Sequence, residues 1–171
     1  LSVLEASKRA DVRRVIYSST SSSYGHGFVP NHESLAEDCL TPYSVSKVTG
    51  EKLCRVYSDL YDLETVVLRY FNVYGDRSPL RGHYAPVIGK FLMQKKNNMP
   101  LTIFGDGSQT RDFTHISDVV DANILASVCV LPIAKQCVFN IGTGKPISIK
   151  ELADIISGDQ VHLRKRPGEV Q

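Results

Sequence analysis

The chain has 171 residues, of which 42% are hydrophobic and 22% charged, so it can bury a core of one domain or somewhat more, and overall disorder is excluded. Its net charge of +2 comes from 20 basic and 18 acidic residues mixed along the chain, which points to neither nucleic acid nor a membrane surface as partner. No apolar run approaches the roughly 20 residues that span a bilayer and no signal peptide opens the chain; four cysteines without CxxC spacing then predict reduced thiols in a cytoplasmic protein.

In chain order, residues 1–9 form an amphipathic pattern that predicts a helix, followed by a buried strand at Val12–Ser18. The chain opens inside that helix without methionine and stops after Gln171, so both ends are expected to be cut. Residues Ser18–Leu40 are rich in Ser, Gly, Pro and Asn and read as a loop. Thr41 can cap a helix with Pro42 at its first position, running to about Tyr61 with Val45, Val48, Leu53, Val56 and Leu60 as its apolar face. A second strand is predicted at Thr65–Tyr70, a helix over Ala85–Lys96, a short strand at Pro100–Phe104 and a turn at Gly105–Ser108. Ser117 is expected to cap a helix over residues 118–130, with a strand at Val138–Ile141. Ser148 and Glu151 form a capping-box pattern for the next helix, and Val161–Leu163 reads as a last strand. This alternation predicts an α/β fold with a mostly parallel sheet, whose ligands bind beyond the carboxyl ends of the strands. The five histidines contain no paired ligand spacing, so no metal is expected.

Tyr43 and Lys47 lie four apart on a predicted helix and share one face, a spacing that is uninformative alone. Its surroundings change that. Upstream stands Ile16-Tyr-Ser-Ser-Thr20-Ser-Ser-Ser-Tyr-Gly25, and the tyrosine itself sits in Thr41-Pro-Tyr-Ser-Val-Ser-Lys47. Downstream come Leu68-Arg-Tyr-Phe-Asn72-Val-Tyr-Gly75, Phe104-Gly-Asp-Gly-Ser-Gln-Thr-Arg111-Asp-Phe113, Phe139-Asn-Ile-Gly-Thr-Gly144 and Arg166-Pro-Gly-Glu169. In this order the segments resemble the extended short-chain dehydrogenases/reductases, the NAD-dependent epimerase/dehydratase family, and within it nucleotide-sugar 4-epimerases of the UDP-glucose type.

The resemblance covers residues 1–171 and implies the C-terminal part of a Rossmann-like parallel sheet with a small α/β substrate-binding lobe. Residues 1–75 would be the second half of the dinucleotide-binding domain. Residues 76–171 would be mainly the substrate lobe, with 115–145 returning to the sheet. The family's catalytic triad maps onto Thr20, Tyr43 and Lys47. A free phenol titrates near 10, and making it a base near pH 7 takes roughly 4 kcal/mol. One ammonium about 4–5 Å away, at an effective dielectric near 20, supplies on the order of 3–4 kcal/mol.

The same resemblance implies NAD as cofactor, held by Ser18, Tyr43, Lys47, Tyr70 and Phe71. It implies a nucleotide-diphosphate sugar as substrate, contacted by Asn72, Thr102, Phe104, Arg111, Phe113, Arg166 and Glu169, with the two arginines on the diphosphate. A homodimer is implied by analogy only. Dehydratases and decarboxylases of the family carry a carboxylate within the loop that here reads Thr20-Ser-Ser-Ser-Tyr-Gly25, so both reactions are disfavoured. A reductase or dehydratase of the same family stays an alternative, as does an inactive fragment that only binds nucleotide-sugar. The departures are Phe113 where many relatives have tyrosine, Glu169 where aspartate is commoner, and the lack of a complete glycine fingerprint. Gly25-x-Gly27, Gly105-x-Gly107 and Gly142-x-Gly144 all miss the third glycine.

Overall fold

In a computed structural model the described residues are 1–26, 30–80, 85–130 and 136–164. The elements in chain order are α1 (Ser2–Arg9), β1 (Arg14–Thr20), a 3-10 helix (Ser21–Tyr24), α2 (Pro42–Tyr61), β2 (Glu64–Tyr70), β3 (Val73–Tyr74) and α3 (Val87–Lys96). They continue with β4 (Leu101–Phe104), β5 (Thr110–Arg111), β6 (Thr114–His115), α4 (Ile116–Val128), β7 (Gln136–Ile141), β8 (Ile147–Ser148), α5 (Ile149–Ile156) and β9 (Gln160–Leu163). The chain divides into two compact units, one of Leu1–Phe71 and Asp118–Ile141, the other of Asn72–Ser117 and Gly142–Gln171.

The first unit is built on a parallel sheet of order β1-β2-β7. Central β2 reads Thr65-Val-Val-Leu-Arg69, all buried, the continuous run of a strand covered on both faces. On one face Val67 packs with Leu4 of α1 and with Cys54 and Tyr57 of α2; on the other, Val66 and Leu68 pack with Ala126 of α4. Arg14 ties β1 to the end of α4: its guanidinium donates to the carbonyls of Ala126 (2.6 Å) and Cys129 (2.9 Å), which the helix itself cannot satisfy. Glu64 neutralises the same arginine at 2.9 Å.

Helix α2 begins as its sequence predicts. Pro42 occupies the first turn, the Thr41 hydroxyl accepts the Ser44 N–H at 3.1 Å, and the Ser44 hydroxyl accepts the Thr41 N–H at 3.2 Å. Its buried face is only partly the expected apolar one, with Val48 buried and Leu53 packed against the core. Ser44, Val48, Glu51, Cys54, Tyr57 and Ser58 face inward, whereas Val45, Val56 and Leu60 are exposed. The polar members are bearable there because each is bonded: Ser58, for one, meets the Leu63 carbonyl at 2.7 Å and the Thr65 hydroxyl at 2.8 Å.

Among its described residues the second unit holds three short ladders: β3 with β6 and β4 with β9 in parallel, β5 with β8 antiparallel. Its core joins Phe91 of α3, Leu101 and Ile103 of β4, and Ile149, Leu152 and Ala153 of α5. Ser148 caps α5 by accepting the Glu151 N–H at 3.0 Å.

Some boundaries differ from expectation. Strand β1 starts at Arg14 and ends at Thr20, because its register with β2 runs on to Thr20↔Tyr70. The segment after it is not plain loop, since the 3-10 helix buries Ser23 and Tyr24. Ser117 does not cap α4; that helix starts at Ile116, and the Ser117 hydroxyl meets His115 Nδ1 at 2.8 Å. The two-residue strands β3, β5, β6 and β8 have no signature of their own in the sequence. Among the described residues no helix is long and apolar enough to cross a membrane.

Candidate active site

Strands β1 and β2 deliver Ser18, Ser19, Thr20 and Tyr70 at their carboxyl ends, the edge of a parallel sheet where ligands bind. Thr20 ends its strand in extended conformation and caps the 3-10 helix: its hydroxyl accepts the Ser22 N–H at 3.1 Å and donates to the Ser22 hydroxyl at 3.2 Å. The next turn closes on Gly25, whose φ of +54° and distance of 2.0 Å from a would-be Cβ to the Asp38 carbonyl leave room for no side chain.

Tyr43 and Lys47 project from the first two turns of α2. The Tyr43 side chain is open to solvent, with the residue 54% exposed. Lys47 is half-buried, and its ammonium stands 5.9 Å from the Tyr43 ring centroid and 5.5 Å from that of Tyr17. It is not a loose surface charge, because Nζ donates to the Ser18 carbonyl at 2.9 Å. Among the described residues one of its three N–H bonds is used, and two remain for other acceptors. Helix and strand are joined in the reverse direction as well, by the Tyr17 hydroxyl donating to the Lys47 carbonyl at 3.3 Å. Burial pushes the Tyr17 phenol above its ordinary range, with nearby Cys54 and Glu51 acting in the same direction.

Tyr70 is half-buried, its hydroxyl 3.1 Å from that of Ser18 and receiving the Asn123 amide of α4 at 2.9 Å. Phe71 lies beside Tyr24, with ring centroids 6.3 Å apart. The structure therefore brings Ser18, Thr20, Tyr43, Lys47, Tyr70 and Phe71 into the first unit.

Asn72, Thr102, Phe104, Arg111 and Phe113 belong to the second unit. Asn72 is exposed at φ +31°, its amide donating to the Asp112 carbonyl at 2.9 Å. The Asp112 carboxylate in turn accepts the N–H groups of Thr143 (3.0 Å) and Gly144 (2.8 Å). Arg111, half-buried on β5, donates to the Thr110 carbonyl at 2.7 Å. Phe113 packs against the core of α3, β4 and α5. Thr102 is engaged inside the unit: its hydroxyl accepts the Gln94 amide at 3.0 Å and its N–H donates back to that side chain at 3.3 Å. Phe104 is half-buried, with its carbonyl accepting the Gln109 amide at 3.0 Å. Arg166 and Glu169 lie outside the described residues.

Sequence reasoning missed four contributors. Ser22 holds the Thr20 hydroxyl, and Asp112 ties Asn72 to residues 143–144; both are polar loop residues with nothing to mark them. Glu51 and Arg69 did carry a signal. Glu51 continues the Tyr43–Lys47 row by one more turn, and Arg69 interrupts the apolar run of β2.

Comparison with known proteins agrees with these motifs. The model of the NAD dependent epimerase/dehydratase family matches residues 1–142. A Methanocaldococcus jannaschii protein named for UDP-glucose 4-epimerase is 37% identical over 178 residues, covering 99% of this chain and 56% of its own length. The structure of UDP-N-acetylglucosamine 4-epimerase from Methanobrevibacter ruminantium M1, in complex with UDP-N-acetylmuramic acid, superposes with a TM-score of 0.94 at 34% identity, covering 99% of this chain and 56% of that one. UDP-glucuronic acid 4-epimerase from Bacillus cereus, in complex with UDP-glucuronic acid and NAD, gives a TM-score of 0.88 at 36% identity, with coverage of 98% and 54%. The chain thus spans little more than half the length of the relatives it matches. With the family motifs in order, the parallel α/β sheet and the match over residues 1–142, this chain belongs to the NAD dependent epimerase/dehydratase family.

Proposed function

We propose that this chain is the catalytic and substrate-binding part of an NAD-dependent nucleotide-sugar 4-epimerase, acting on a UDP-hexose through a transient 4-keto sugar. The observation that carries the reading is the exposed Tyr43 phenol beside an ammonium anchored to the end of β1. A phenol open to solvent can be reached by a sugar hydroxyl, and the anchored ammonium keeps a fixed positive charge on the same helix row.

The residues present fit the nicotinamide end of the cofactor. Ser18, Tyr70 and Phe71 gather at the strands' carboxyl edge, and Lys47 keeps two N–H donors for ribose hydroxyls. The glycine loop for the pyrophosphate is not in this sequence, so residues 1–171 alone are expected to bind NAD weakly. NAD bound there would accept hydride from the sugar's C4 and return it to the opposite face, ending the cycle unchanged.

Tyr43 removes the C4 hydroxyl proton as the carbonyl forms and gives it back when the carbonyl is reduced. Lys47 keeps its positive charge beside the Tyr43 ring throughout. Thr20 hydrogen-bonds the same sugar oxygen by exchanging its bond with Ser22 for one with substrate. Arg111, with Arg166, holds the diphosphate, Asn72 reaches a phosphate or sugar oxygen, and Phe113, Thr102, Phe104 and Glu169 line the nucleoside. The loop Thr20–Gly25 contains no carboxylate, which disfavours elimination and decarboxylation, because serine cannot serve as acid and base near neutral pH.

The test is to incubate the full-length protein and NAD with UDP-glucose, UDP-N-acetylglucosamine and UDP-glucuronic acid, and to look for the C4 epimer by NMR. One of the three is expected to epimerise, with Tyr43→Phe lowering turnover by about 100-fold or more. No epimer from any of them, or a Tyr43→Phe variant as active as the parent, overturns the reading.

A further inference from the structure

Beneath the Tyr43–Lys47 pair lies a buried ionic cluster that takes no part in the chemistry above. Arg69 of β2 and Glu51 of α2 are 3% and 5% exposed. They form a forked pair, Nε to Oε1 at 3.0 Å and Nη2 to Oε2 at 2.6 Å. The hydroxyl of Ser19, the β1 residue opposite Arg69, donates to the same Glu51 Oε1. One carboxylate therefore receives hydrogen bonds from two strands of the sheet. Around it, the Arg69 guanidinium lies 4.9 Å from the Tyr24 ring centroid, and Glu37 stands 4.0 Å from Nη2.

Stability is a poor explanation for this arrangement. Each buried ion gives up its hydration, and apolar residues of similar volume are often as stable in such a place. Among the described residues Arg69 Nη1 is moreover buried without an acceptor at good hydrogen-bond geometry, the Tyr24 side chain being its polar neighbour, a cost that an apolar pair would not carry. What apolar contacts do not supply is direction. They tolerate sliding of a helix over a sheet, whereas three convergent hydrogen bonds to one carboxylate do not.

The position of the cluster shows what that direction serves. Tyr43, Lys47 and Glu51 recur at intervals of four, one row along α2. Ser19 immediately precedes Thr20, and the Ser18 carbonyl holds Lys47. We infer that Glu51 and Arg69, with Ser19, are positioning residues that set the register of α2 against β1 and β2 and so place Tyr43 and Lys47 relative to Thr20. This inference rests on the 4-epimerase reading. A misplacement of about 1 Å in a reacting constellation can cost on the order of 100-fold in rate.

The experiment compares full-length parent, Tyr43→Phe, Arg69→Lys and the triple variant Ser19→Ala/Glu51→Leu/Arg69→Met, which removes both charges and the hydroxyl that depends on them. For each, kcat, KM for the UDP-sugar, the NAD dissociation constant and Tm are measured. Arg69→Lys and the triple variant are expected to fold, to keep KM and NAD affinity within about threefold, and to lose about 10- to 100-fold in kcat. A kcat within about twofold of the parent in either folded variant overturns the inference while leaving the 4-epimerase reading intact. Should the triple variant fail to fold, Arg69→Lys decides alone, since it keeps the charge and loses only the fork. An inactive parent or an unimpaired Tyr43→Phe instead removes the 4-epimerase reading, and this inference with it.

Discussion

Lys47 serves two partners with one ammonium: a carbonyl at the end of β1 and the face of Tyr43. Anchoring a long side chain in this way removes rotamer freedom before substrate arrives, so that cost is not charged to the reaction. Cys54, one turn beyond Glu51 on α2, illustrates the opposite use of burial. Burial foremost, and then the Glu51 charge, pushes its thiol up to about 11. Thiolate is the reactive form, so Cys54 should be the slow member of the set at pH 8. Native protein treated with iodoacetamide is expected to carry label first on the partly exposed Cys39 and Cys129, and last on Cys54 and Cys137. Peptide mass spectrometry over time checks the order, and labelling of Cys54 as fast as Cys39 would contradict it.

Among the elements, α2 shows most clearly what local sequence can and cannot dictate. Its start was legible, because a Thr-Pro cap is a property of adjacent residues. Its inward face was not, because hydrophobicity alone chose Val45, Val56 and Leu60 over Glu51 and Ser58. Gly50 belongs to the same helix. A Cβ there would stand 2.1 Å from the Tyr17 hydroxyl oxygen and 2.4 Å from its Cζ. Alanine gains up to about 1 kcal/mol in helix propensity over glycine, but overpacking costs about 1–3 kcal/mol. Displacing Tyr17 also breaks its bond to the Lys47 carbonyl. Gly50→Ala is therefore expected to destabilise by about 1 kcal/mol in urea unfolding, and to become neutral or stabilising in a Tyr17→Leu background. Additive effects in that cycle would show that the contact is unimportant.

For the molecule as a whole, Glu33 joins residues 31–33 to β7 through bonds that contribute stability acid removes. Its carboxylate accepts the Asn140 N–H at 2.7 Å, and the Asn140 side chain donates to the Asn31 carbonyl at 3.1 Å. Burial alone would raise the Glu33 carboxyl, but hydrogen bonds from the Asn140 and Glu33 N–H groups, with His32 and Arg69 nearby, outweigh it and hold the group below its ordinary value. A carboxyl depressed in the folded state contributes stability above its unfolded value of about 4.3 and loses it as pH falls through the folded value. Glu33→Gln should lower Tm near pH 7, and the gap to the parent should narrow by about pH 3.5. Calorimetry at the two pH values measures this, and a gap of constant size would exclude the linkage.

By itself the sequence determined the alternation of helices and strands, the start of α2 at a Thr-Pro cap, the cap of α5 at Ser148, and the order of motifs that marks the family. Each of these is written in residues close along the chain, where period and capping chemistry act. Only the tertiary structure decided that β1 runs on to Thr20, that Glu51 faces inward to meet Ser19 and Arg69, and that Asp112 fastens Asn72 to residues 143–144. It also decided the pairing of β3 with β6 and of β5 with β8. These contacts join residues about 18 to 50 positions apart whose neighbours do not announce them; a buried charge or a two-residue strand becomes favourable only once its distant partner is in place.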